Sequence, residues 1–309
     1  MSKKILVATE KPFSAEAVKG IREVVESFPG YELALLEKYT DKSELLKAVE
    51  DADALIIRSD KVTQEVISAG KKLKIVVRAG AGYDNVDLQA ATGKNIVVMN
   101  TPGQNSNAVA ELAFGLMLSL ARVHYTGQAG TELKGKKLGI HAFGHVGRLV
   151  GRIAKGFCME VYAYDPFIPK RDIEADGVKA VDSAEELYLA CDYVSLHIPA
   201  NEKTKQSINY ELLSRMPKGA ALINTARKEV IHEADMVRLF EERLDLKYAS
   251  DIAPDNKDEM IEKFGYRVFF TAKKLGAQTK EANANAGLAA ANQIINFFEK
   301  DDNTFQVNK

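Results

Sequence analysis

Lys137-Leu138-Gly139-Ile140-His141-Ala142-Phe143-Gly144-His145-Val146-Gly147 reads as a short apolar strand, a tight turn and the opening of a helix. Val146, Leu149, Val150, Ile153, Ala154 and Phe157 then keep one face of that helix apolar at helical spacing. A second strand over 161–164 ends on Asp165, 18 residues after Gly147. Strand, glycine turn, helix, strand and acid in this order form the βαβ fingerprint of dinucleotide binding. Gly144 lets the main chain approach a pyrophosphate, and the amides of His145 and Val146 open the helix toward phosphate oxygens. Gly147 lets the helix pack closely on the strand. Asp165 accepts hydrogen bonds from ribose hydroxyls and repels a 2′-phosphate, which favours NAD over NADP. One letter departs from the pattern. Ala142 stands where the first glycine is usual, and its methyl fits only if the backbone avoids positive φ.

The same grammar extends in both directions. Short apolar runs lie at 5–8, 33–36, 54–57, 75–77, 96–99, 138–142, 161–164, 193–198, 221–224, 248–251 and 268–270, with helical patterns between them. This alternation predicts an α/β protein with doubly wound parallel sheets covered by helices on both faces. A chain of 309 residues has room for two such domains. Two long segments, 105–122 and 281–298, are suited to connect them. The expected division is therefore 1–98 plus 282–309 for one domain and 99–281 for the dinucleotide domain, with a cleft between them. The first of these is the expected substrate-binding domain.

Composition narrows the function classes. Lys plus Arg total 42 and Asp plus Glu 43, a net charge of −1, which argues against a nucleic-acid or anionic-membrane surface. No apolar run approaches the roughly 20 residues needed to cross a bilayer. The start, Met1-Ser-Lys-Lys-Ile-Leu-Val-Ala-Thr-Glu10, lacks a signal-peptide core. Cys158 and Cys191 have no metal-ligand spacing and read as small buried hydrophobes in a reducing cytoplasm, and no metal site is expected.

Further segments speak together. Arg78-Ala-Gly-Ala-Gly-Tyr-Asp-Asn-Val-Asp87, Asn100-Thr-Pro-Gly-Gln-Asn-Ser-Asn-Ala-Val-Ala-Glu111, Leu196-His-Ile-Pro199, Leu222-Ile-Asn-Thr-Ala-Arg227 and Gly276-Ala-Gln-Thr-Lys-Glu-Ala282 occur in that order. In these motifs, and over nearly its whole length, the chain resembles the D-isomer-specific 2-hydroxyacid dehydrogenases. The resemblance implies two Rossmann-like domains, NAD as cofactor, and a homodimer built on the apolar helix 105–122. By position it implies that the amides of Ala79, Gly80, Ala81 and Gly82 hold a substrate carboxylate. Arg227 would bridge that carboxylate and the reacting oxygen with its planar fork of donors. Thr225 and Ala226 would line the nicotinamide end, and Asp251 would orient the nicotinamide carboxamide. His197, Pro199 and Gly276 complete the expected cofactor contacts. Ile57-Arg58-Ser59 resembles the phosphate-side motif of the family's branch that acts on a phosphorylated acid, so Arg58 and Ser59 would meet a phosphate. The bland alternative for Arg58 is a strand-end arginine paired to a nearby acid. The chain looks like the short form of that branch. The implied reaction is NAD-linked oxidation of D-3-phosphoglycerate to 3-phosphohydroxypyruvate, which opens phosphorylated L-serine biosynthesis. The rivals are reduction of another 2-oxo acid such as hydroxypyruvate, and a non-catalytic NAD-responsive binding protein.

The proton carrier departs from the family. Its usual partners are a histidine and a glutamate five residues after the aspartate. Five residues after Asp251 stands Asn256, with Asp255 adjacent. The histidine region reads Thr271-Ala-Lys-Lys-Leu-Gly-Ala277. Aligned on Gly276-Ala277, Lys274 takes the histidine's position; aligned on Thr271, Lys273 does. The first alignment fits the following residues better. Losing both partners is coherent, because an ammonium needs no carboxylate to orient it, while an adjacent anion would oppose its deprotonation. To accept a proton the amine must be neutral, and its free pKa of about 10.4 has to fall through burial and nearby positive charge. The bland alternative is a decayed site with a surface lysine. Of the histidines, His141, His145 and His197 read as packing or cofactor contacts, and His124 and His232 as helix residues.

Overall fold

Runs such as Ala54–Ile57 and Ala221–Asn224 are buried at every position, so both faces of their sheets must be covered. The computed structural model describes residues 2–308. Contacts divide the chain into two units, 1–105 with 279–309, and 106–278.

The first unit holds five parallel strands: β1 (Lys3–Thr9), β2 (Tyr31–Glu37), β3 (Ala54–Ile57), β4 (Ile75–Arg78) and β5 (Val97–Asn100). Their order is β2-β1-β3-β4-β5. Alternation along β1 sends Ile5 and Val7 into one core and Leu6 and Ala8 into the other. Helix Ala15–Glu26 starts at Ser14, whose hydroxyl accepts from the Ala17 amide, and packs against helix Lys280–Lys300.

The second unit holds seven parallel strands: β6 (Lys137–His141), β7 (Glu160–Tyr164), β8 (Lys179–Ala180), β9 (Tyr193–Leu196), β10 (Ala221–Asn224), β11 (Lys247–Ser250) and β12 (Val268–Phe270). Their order is β12-β11-β10-β9-β6-β7-β8. Chain direction across the sheet therefore reverses between β6 and β9, the switch point where doubly wound sheets place ligands.

Several expectations shift. The division falls after Asn105 and before Thr279, not at 98/99 and 281/282. Helix Ser106–Ala121 packs along its length on helix His145–Gly156, β10 and β11, so the whole helix belongs to the second unit. Thr279 caps helix Lys280–Lys300 by accepting from the Ala282 amide, so it travels with the first. The two-residue edge strand β8 has no apolar run to announce it. Cys191 is buried as expected, but Cys158 is exposed, because it sits at φ +56° in the turn that leaves helix His145–Gly156. His232 is a helix cap, and His124 lies at φ +51° in a short turn; neither is inside an α-helix.

Candidate functional site

The carboxyl ends of β6 and β7 and the segment after β9 enclose a cavity of about 480 Å³ in the second unit. His141, Ala142, Asp165, Phe167 and Pro199 are among its lining residues. Gly144 caps helix His145–Gly156 without any side-chain hydrogen bond, which leaves the first amides of the helix to a ligand. A Cβ added to Gly144 meets no protein atom within 4 Å, so the space beside it is open. A Cβ on Gly147 would lie 2.4 Å from the Ala142 carbonyl oxygen, so that glycine is required by packing. Asp165 braces the turn while facing the cavity: Oδ2 accepts from the Phe143 amide at 2.8 Å and Oδ1 from the Phe167 amide at 2.8 Å. These features suit a dinucleotide, with pyrophosphate at the helix start and ribose at the acid.

Ala142 corrects an expectation. Its φ is +80°, the conformation of the glycine it replaces. Its amide donates to the Tyr164 carbonyl at 2.9 Å, which holds the turn there despite the methyl.

The switch point carries two histidines. The His197 amide donates to the His141 carbonyl at 2.9 Å. His141 Nδ1 lies 3.3 Å from the Tyr188 hydroxyl, and Ser195 Oγ lies 3.0 Å from His197 Nε2. Burial pushes His141 down to about 4, against the pull of the Asp165 and Glu185 carboxylates. Burial, with His141 nearby, pushes His197 down to about 3. Both rings are neutral near pH 7.

Next to β9 in this sheet, β10 leads into Thr225, Ala226 and Arg227. Thr225 and Ala226 are buried, and Thr225 Oγ1 has no hydrogen-bond partner among the described residues. The Ala226 amide donates to Asn224 Oδ1, and Arg227 Nη1 donates to the Ala226 carbonyl at 2.8 Å. The half-buried Arg227 fork thus starts from a buried, hydrogen-bonded turn. Asp251, just past β11, is 1% exposed. Its carboxylate accepts from the amides of Leu275 and Gly276. Lys273 and Lys274 both lie exposed on the segment between Thr271 and Gly276. Where the family has its glutamate, Asp255 is exposed and paired with Lys228, and Asn256 Oδ1 is buried without a hydrogen-bond partner among the described residues.

In the first unit the switch point lies between β1 and β3. Arg58 follows β3, and its Nη1 donates to the carbonyls of Lys11 and Pro12 at 2.9 and 3.0 Å. Nη2 donates to Asn283 Oδ1, and the guanidinium lies 5.1 Å from the centre of the Phe13 ring. These partners are neutral oxygens, so an anion would add to them rather than displace an acid. Burial pulls this guanidinium below the usual arginine range, and Asp60 opposes the shift. Buried Asp60 accepts from the amides of Glu10 and Arg58 and from the Tyr39 hydroxyl, which ties together the loops on either side of the crevice.

Ser59 is exposed beside Arg58. Ala79 is a correction: its amide donates to the Ile57 carbonyl at 2.8 Å, so it has no proton for a substrate carboxylate. Gly80, at φ +147°, Ala81 and Gly82 continue the loop. Arg78 opens that loop. Its Nε donates to the Arg58 carbonyl at 2.9 Å, and its Nη1 lies 1.6 Å from where a Gly80 Cβ would be. Arg78 ends β4 opposite Ile57 of β3, and that register was the signal that could have placed it beside Arg58.

Residues 6–308 match the family described as D-isomer specific 2-hydroxyacid dehydrogenase, catalytic domain. The crystal structure of NAD⁺-bound 3-phosphoglycerate dehydrogenase from Entamoeba histolytica is 48% identical with a TM-score of 0.88, covering 100% of this chain and 99% of that one. D-3-phosphoglycerate dehydrogenase of Methanocaldococcus jannaschii is 37% identical over 305 residues, which is 94% of this chain but 56% of that protein. Hydroxypyruvate reductase of Thermotoga maritima is 36% identical over 285 residues, 85% of this chain and 90% of the reductase. The chain thus spans little more than half the length of the Methanocaldococcus enzyme and nearly all of the Thermotoga enzyme. Among the described residues no helix is long and apolar enough to cross a membrane.

Proposed function

Because the chain belongs to the D-isomer-specific 2-hydroxyacid dehydrogenase family, we propose that it oxidises D-3-phosphoglycerate to 3-phosphohydroxypyruvate with NAD⁺, the opening step of phosphorylated L-serine synthesis. The observation that carries the choice of a phosphorylated acid is the pair Arg58 and Arg78 at one end of the five-stranded sheet. Arg58 is offered on neutral oxygens at the switch point of that sheet. A phosphate is the anion that a fork of N–H donors meets best.

NAD⁺, when bound, supplies the hydride acceptor. Gly144, His145, Val146 and Gly147 receive its pyrophosphate, and Asp165 takes the ribose hydroxyls. His197 and Pro199 border the adenine end, while Thr225, Ala226 and Gly276 lie toward the nicotinamide. The amides of Gly80, Ala81 and Gly82 hold the substrate carboxylate. Arg227 orients that carboxylate and the C2 oxygen. Lys274 takes the C2 hydroxyl proton as hydride leaves C2, and in reduction it returns that proton as an ammonium. Its exposed position means that substrate and cofactor must supply the burial that favours a neutral amine. A homodimer through helix Ser106–Ala121 and a cytoplasmic setting, suggested by two free thiols, complete the reading.

The second reading is a hydroxypyruvate reductase, favoured by the Thermotoga relative. NADH formation with D-3-phosphoglycerate and with D-glycerate separates the two. Arg58→Ala is expected to lower kcat/KM on the phosphorylated acid by about 100-fold while changing D-glycerate turnover less than threefold. Equal losses on both acids, or a wild-type preference for D-glycerate, would favour the reductase. Tight NAD binding without turnover on either acid would favour a binding protein.

A further inference from the structure

The family resemblance implies that Asp251 orients the nicotinamide carboxamide, yet both of its carboxylate oxygens also accept from the chain itself. The Leu275 amide donates to Oδ1 at 2.7 Å, and the Gly276 amide donates to Oδ2 at 2.8 Å. The Thr271 hydroxyl donates to the Asp251 carbonyl at 2.7 Å and lies 3.1 Å from Oδ1. One nearly sealed residue thus clamps both ends of the segment 271–276, with its carboxylate at Leu275 and Gly276 and chiefly its carbonyl at Thr271. That segment is neither helix nor strand, so no ladder of its own defines its path. Lys274 stands directly before the two clamped amides.

A buried carboxylate is a strong acceptor for main-chain amides, and its removal leaves those amides unsatisfied. A lysine stem is long and flexible, so the reach of its amine depends on where its backbone is held. A displacement of about 1 Å can cost 100-fold in rate. We infer that Asp251 is the positioning residue of the proton-transfer lysine: its carboxylate fixes the backbone from which Lys274 reaches the C2 hydroxyl. This rests on Lys274 being the proton carrier.

The test is a double-mutant cycle in the full chain with NAD⁺ saturating, using Asp251→Asn, Lys274→Ala and the pair. In Asp251→Asn one acceptor oxygen remains, and an NH₂ group faces an amide that needs an acceptor. Asp251→Asn is expected to lower kcat 10- to 100-fold, with the Kd for NAD changed less than threefold. Added to Lys274→Ala it should cost less than a further threefold. Thr271→Val keeps the carboxylate and both amide bonds, which guards against simple misfolding. It should lower kcat severalfold and move the apparent pKa of the kcat profile. Losses that multiply, together with a weakened NAD Kd, would make Asp251 a nicotinamide ligand and overturn the inference. Unchanged kcat in Asp251→Asn, or an unmoved pH profile in Thr271→Val, would overturn it as well. A Lys274→Ala enzyme that keeps wild-type kcat would overturn the proton-carrier reading first, and the inference with it.

Discussion

Ala142 holds φ at +80° where the sequence pattern usually has glycine. For a residue with a Cβ, the left-handed region costs about 1–2 kcal/mol, and glycine gives back about 0.5–1 kcal/mol of that in lost chain entropy. Ala142→Gly is therefore expected to stabilise the protein by about 0.5–1 kcal/mol in urea unfolding. A destabilised variant would mean that the methyl makes a packing contact worth more than the strain. The letters 137–147 were enough to place the turn, the helix and the acid. They did not reveal the angle at 142, because one alanine is compatible with either a distorted turn or a strained one. Asp251 was legible as a functional position but not as a clamp. Its partners are main-chain amides 24 and 25 residues away, and main-chain donors carry no letter. Ala79 failed in the same way: a backbone amide already used by Ile57 looks the same in sequence as a free one.

At the scale of elements, the ends of β6 and β9 bring His141 and His197 together at the switch point of the seven-stranded sheet. The folded His141 titrates near 4 against an ordinary value of 6.5, because burial penalises its cation. Below pH 6.5 the unfolded chain binds the proton that the folded one refuses. The stabilising contribution of the neutral ring is thus complete above pH 6.5 and is lost progressively as pH falls toward 4. At about 1.4 kcal/mol per pH unit, His141 alone removes about 2 kcal/mol between pH 6.5 and 5. Urea unfolding at pH 7 and pH 5 should show this fall in the wild type and a fall smaller by about 2 kcal/mol in His141→Leu. An unchanged fall in the variant would assign the acid sensitivity elsewhere. The strands were legible because parallel strands buried on both faces read as unbroken apolar runs. β8 escaped because two edge residues, Lys179 and Ala180, make no such run.

At the scale of the molecule, the chain assembles two sets of polar groups on two parallel sheets. Arg58, Arg78 and the loop 80–82 lie at the carboxyl edge of one. The helix start at Gly144, Asp165, Arg227 and the clamped segment 271–276 lie at the carboxyl edge of the other. The presence of both sheets followed from the alternation of apolar runs and helical patterns. The residues at which the chain passes from one unit to the other did not, because they depend on what helices Ser106–Ala121 and Lys280–Lys300 pack against. The departure from the family lies in the proton carrier, where a lysine stands at the histidine's position and Asn256 at the glutamate's. NADH formation from D-3-phosphoglycerate across a pH series, wild type beside Lys274→Ala, tests that most directly. The expected result is a loss of 100- to 10,000-fold in kcat with NAD affinity retained, and a wild-type limb, rising with pH as the amine loses its proton, that vanishes in the variant. Turnover that survives in Lys274→Ala with the same pH profile would contradict it and move the proton to Lys273 or to water.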